Sequence, residues 1–152
     1  MNWEAVGAFG EILGAIAVLV TLVYLAAQIR QSNELSRFNA AKELVNQFND
    51  LNRLIATDTS LRQVLMKTGE LSGEELEQVY AYAMMYCNVW ISAQFAYDNG
   101  QIDESIYAGA AKDVRVEINR WPHFRAGVDQ WLSNYPENHH HAIFQPVVMT
   151  EA

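Results

Sequence analysis

Residues 5–27, AVGAFGEILGAIAVLVTLVYLAA, constrain this chain more than any other stretch. They contain one charge, Glu11. As an α-helix rising about 1.5 Å per residue, the run reaches roughly 35 Å, enough to cross a hydrocarbon core of about 30 Å with some tilt. The expectation is a single N-terminal transmembrane helix that carries the rest of the chain. No Lys or Arg precedes the run, and it is longer than the usual apolar core of a secretory signal, so a retained anchor is expected rather than a cleaved leader. Arg30, Arg37 and Lys42 follow it. The positive-inside rule then places the N-terminus outside and the C-terminal part in the cytoplasm. Trp3 and Tyr24 fall near opposite ends of the run, where amphipathic rings favour the interface.

The run is patterned. Gly7, Gly10, Gly14, Ala17 and Thr21 recur at spacings of three and four, so they share one helix face. Small residues on one face let two helix backbones approach closely in lipid, where no hydrophobic effect draws helices together. This predicts a helix–helix interface. Glu11 lies to one side of that face, with Glu4 one heptad earlier. Two readings stand: an intramembrane acid touching ions or a neighbouring subunit inside an oligomer, or an acid at the outer headgroups, six residues from the start of the run.

Charge and cysteine content exclude several classes. With 10 basic and 18 acidic residues the net charge is −8, and no basic cluster offers a phosphate footprint, so no nucleic-acid partner is expected. The bilayer is the expected partner, engaged by the apolar run and not by charge. The single cysteine, Cys87, precludes an internal disulfide and is expected to be a buried, inert thiol.

Beyond the run, Leu35, Phe38, Ala41, Val45, Phe48, Leu51 and Ile55 keep a helical spacing without Gly or Pro, with Ser32-Asn33 the best place for a restart. Residues 57–60 read as a turn capping a short helix over 61–67. Ser72 with Glu75 is a capping box that opens a helix to about Tyr97. Its expected buried face is Leu76, Val79, Tyr80, Ala83, Tyr86, Cys87, Trp90 and Ile91. Asn99-Gly100 stops it, and Asp103 opens the next helix, which runs to Arg120 before Pro122. A last helix over 123–134 ends before Pro136, and Ile143, Phe144, Val147 and Val148 are expected to dock the tail. The fold class is therefore all-α: a transmembrane helix with its flanks (1–31), a cytoplasmic helical bundle (32–138) and a C-terminal tail (139–152).

No stretch carries a reaction. His139, His140 and His141 beside Glu137 are adjacent on an irregular segment and do not converge as zinc ligands do, so no metal site is expected. Residues 98–103 resemble part of a calcium loop, but Phe95, Tyr97 and Ile106 occupy positions that need oxygen ligands. Ser92, His123 and Asp129 can be assembled on paper into a triad, without any nucleophile-elbow signature. Phosphate-binding and dinucleotide fingerprints are missing too. Tyr80, Tyr86, Trp90, Tyr97, Trp121, Phe124, Trp131 and Tyr135 read as core in preference to a pocket. No cofactor and no catalytic residue is expected.

The segments Trp3-Glu4-Ala5-Val6-Gly7-Ala8, Gly10 to Ala15, Thr21 to Ala26 and Gln28-Ile29-Arg30-Gln31 resemble a group of small bacterial membrane-anchored helical proteins of unassigned function. The likeness is dense over residues 3–31 and diffuse beyond. It implies a bacterial source and an inner-membrane location, and supplies no catalytic residue. The functional expectation is a non-enzymatic membrane protein that self-associates or serves as an accessory subunit of a larger complex. The alternatives are an ion-conducting homo-oligomer with Glu4 and Glu11 on the lumen and, more weakly, a cytoplasmic ligand sensor or a hydrolase.

Overall fold

The structure is a computed structural model that describes residues 2–148, apart from the side chains of Ala5 and Val6. It is all-helical, with no strand among the described residues: α1 (Trp3–Thr57), α2 (Thr59–Met66), α3 (Gly73–Asp98), α4 (Glu104–Arg120) and α5 (Phe124–Asn134) are followed by two short 3-10 turns and a final turn, α6 (Gln145–Val148). Residues 149–152 of the expected tail lie outside the described residues. The chain forms two compact units, Met1–Arg37 and Phe38–Ala152.

In the first unit the chain is helical from Trp3 onward, and the helix continues without a break through Ser32-Asn33. It is the one described helix long and apolar enough to cross a membrane. From Phe9 to Ile29 its large apolar side chains, among them Ile12, Ile16, Leu19, Leu22 and Val23, are exposed.

In the second unit the helix ends form where local chemistry dictates. Asp58 accepts from the Leu61 N–H and caps α2. Ser72 and Glu75 close a reciprocal capping box on α3. Asp103 caps α4 by accepting from the Ile106 N–H. Gly100, with φ +64°, takes the left-handed conformation that lets the chain reverse between α3 and α4.

The core is centred on α3, which packs chiefly on α5 and α4. Trp90, Phe124 and Phe144 are fully buried, with edge-to-face contacts from Trp90 to both phenylalanines and from Phe124 to Tyr86. Gly127 allows the close α3–α5 approach, because a Cβ there would sit 2.8 Å from the Ala83 Cβ. Ile143, Phe144 and Val147 are buried and Val148 is exposed, so three of the four apolar residues expected to dock the tail join the core.

The two expected faces are largely buried, with local departures. On the C-terminal part of α1, Leu51 is buried and Ala41, Phe48 and Ile55 pack against the core as expected, Leu44 joins them, and Phe38 and Val45 are exposed. Leu35, in the first unit, is also exposed. On α3, Leu76 is exposed, while Tyr82, Val89, Ala93 and Gln94 join the core. Helices and the tail surround the middle of α3, so burial there extends beyond a single stripe.

Candidate functional site

The small residues Gly7, Gly10, Gly14, Ala17 and Thr21 all lie on α1 and are all exposed. A Cβ added at Gly7, Gly10 or Gly14 would meet no atom within 4 Å. The Thr21 hydroxyl donates to the Ala17 carbonyl at 2.9 Å, which satisfies it inside its own helix, as an apolar environment requires. Glu4 and Glu11 are exposed on the same helix. The face is thus an open strip, shallow at the glycines and without an internal partner among the described residues.

The second unit holds a set of buried polar groups that the sequence did not single out. The Gln94 Oε1 accepts from the Tyr107 hydroxyl at 2.7 Å and from the Ile143 N–H at 3.0 Å, while its Nε2 donates to Asp98. Glu117, 4% exposed, accepts from Arg120 at 2.9 Å and from the Trp121 indole at 3.2 Å. Arg120 also lies 4.8 Å from the centroid of the Trp121 ring. One turn earlier on α4, Asp113 accepts from the Trp90 indole at 2.9 Å. Burial raises the Asp113 carboxyl above its ordinary range, with Glu117 adding to the effect and the Trp90 bond and Arg120 opposing it. The Tyr82 hydroxyl is buried without a hydrogen-bond partner among the described residues, and desolvation pushes it well above the ordinary tyrosine range. Tyr86 is pushed up to about 12 for the same reason. A signal existed for Glu117: it falls on the Ala110, Val114, Ile118 face of α4, where an acid must find donors. Asp113 and Gln94 have partners 23 and 49 residues away, which no local pattern reveals.

The candidate triad residues are each engaged elsewhere. The Ser92 hydroxyl donates to the Asn88 carbonyl, the His123 ring bonds the Gly69 carbonyl, and Asp129 lies 3.8 Å from Arg125. His140 and His141 stack at 4.2 Å, and His141 meets the edge of Phe95. No cluster of three or more His, Cys, Asp or Glu suited to a metal ion occurs among the described residues. Cys87 is fully buried, and burial pushes its thiol far above the range in which a thiolate forms. Of the aromatic set, Tyr86, Trp90, Phe124 and Trp131 are core, Tyr80 and Trp121 half-buried, and Tyr97 and Tyr135 exposed.

No protein-family model, curated protein or solved structure matches the chain.

Proposed function

We propose that this is a non-enzymatic protein of the bacterial inner membrane. Residues 5–27 anchor it as a single pass, with the N-terminus outside and the helical bundle in the cytoplasm. It self-associates, or joins a larger membrane complex as an accessory subunit, through Gly7, Gly10, Gly14, Ala17 and Thr21. One observation carries the reading: a helix of membrane-spanning length exposes both its apolar side chains and a strip of small residues with no internal partner among the described residues. Lipid covers the apolar side chains, and a second helix fits the strip.

Replacing Gly10 and Gly14 together with Leu tests it. Two leucines would hold neighbouring backbones apart by a side chain's width, so the oligomer recovered in mild detergent should fall while helical content stays the same. An unchanged oligomer would place the contact elsewhere. Glu4 and Glu11, exposed one heptad apart, support the second reading of an ion-conducting oligomer. That reading predicts cation current in planar bilayers and reduced cation selectivity in Glu11→Gln, whereas a scaffold gives no current in either form.

A further inference from the structure

Between the C-terminal part of α1 and α4 lies an open groove of about 370 Å³. Leu44, Val45 and Phe48 line it from α1, and Ile106, Gly109 and Ala110 from α4. From Ser105 to Asp113, both of which line it, α4 advances two turns, about 12 Å. Both dimensions fall within reach of a small elongated ligand.

The polar part of the lining is one-signed. Asn52 and Ser105 are neutral, Asp113 is an acid, and neither Lys nor Arg lines the groove. Asp113 Oδ2 is taken by the Trp90 indole. Arg120, the cation whose charge acts on Asp113, is itself paired with Glu117 at 2.9 Å. Asp113 forms no ion pair among the described residues, although it is half-buried beside an apolar channel. A desolvated carboxylate of this kind is complemented by a positive group that brings its own apolar surface. The Phe48 ring and the Ile106 side chain supply apolar surface for such a group's chain.

We propose that this groove binds small cationic amphiphiles, with the apolar chain between Phe48 and Ile106 and the ammonium group on Asp113. The proposal is independent of how the anchor helix associates. A fatty acid presents the wrong charge to Asp113, and a neutral chain leaves the acid unpaired.

The test is calorimetric titration of the full chain in phosphatidylcholine nanodiscs, with empty nanodiscs as the blank. The probes are n-octylammonium, n-octanol and n-octanoate, which share a chain and differ in head group. Octylammonium should bind saturably, octanol at least tenfold more weakly and octanoate most weakly. Asp113→Asn keeps an acceptor for Trp90 and should abolish the preference for octylammonium over octanol. Gly109→Leu, at a position where an added Cβ meets no atom within 4 Å, puts a branched side chain in the groove and should remove binding of both probes. Gly109→Ala should retain it. Circular dichroism of each variant separates loss of binding from loss of fold, and if Gly109→Leu fails to fold, the Asp113→Asn comparison decides. Octanoate or octanol binding as tightly as octylammonium, no saturable signal above empty nanodiscs, or full binding by folded Gly109→Leu would overturn the proposal.

Discussion

The backbone N–H of Ile143 donates to the side-chain oxygen of Gln94 at 3.0 Å, joining the tail to the middle of α3 inside the core. The same oxygen accepts from the Tyr107 hydroxyl of α4, so one amide ties three segments together. The Arg125 guanidinium, donating to the Val147 carbonyl at 2.9 Å, fixes the tail a second time. Gln94→Ala should orphan the buried Ile143 N–H and cost about 1–3 kcal/mol. Urea unfolding of the variant checks this, and a cost confined to a few tenths of a kcal/mol would show that the tail does not depend on Gln94.

Two glycines should respond oppositely to alanine. Gly127→Ala forces a Cβ to within 2.8 Å of the Ala83 Cβ at the α3–α5 contact and should destabilise by about 1–3 kcal/mol. Gly109→Ala enters open space in a helix interior and should stabilise by roughly 0.5–1 kcal/mol through lower unfolded-state entropy. Chemical denaturation of the pair gives both signs directly. A neutral Gly127→Ala would mean that the two helices separate at little cost.

Asp113 sets a pH dependence. Burial raises its folded-state pKa above the unfolded value, so the folded state binds the proton more tightly. The stability contribution is fully present below the unfolded pKa and is lost as pH rises through the folded one. Asp103 and Glu75, which cap helices on the surface, have lowered pKa values and act the other way: their contribution is present above the unfolded pKa and lost as pH falls through the folded one. The difference in Tm between the wild type and Asp113→Asn isolates the first effect. Wild-type Tm should decline relative to the variant as pH rises from 3 to 7, and a flat difference would contradict a buried, strained carboxylate.

The helix ends were legible because their causes are local. Asp58, Ser72 and Asp103 each accept from the N–H three residues on, and α2, α3 and α4 begin where these residues stand. The limits of the buried faces were legible only in part. Leu51, with Ala41, Phe48 and Ile55, meets the core as its spacing predicts, but Leu35, Phe38 and Val45 keep the same helical spacing and are exposed, because only the neighbouring helices decide how much of a face is covered. Gln94 and Asp113 are justified by partners 49 and 23 residues away, which no local pattern reveals, whereas the partners of Glu117, Arg120 and Trp121, lie within one turn of it. The small residues of α1 lie on one continuous helix, as their spacing predicts, and an added Cβ at Gly7, Gly10 or Gly14 meets no atom within 4 Å.

That strip is the proposed subunit interface, and counting subunits tests it most directly. Native mass spectrometry of the full chain in mild detergent should find more than one copy per complex. It should find single chains for Gly10→Leu/Gly14→Leu at equal helical content. A wild-type protein that is a single chain without partners, or a double variant with unchanged stoichiometry, would contradict it.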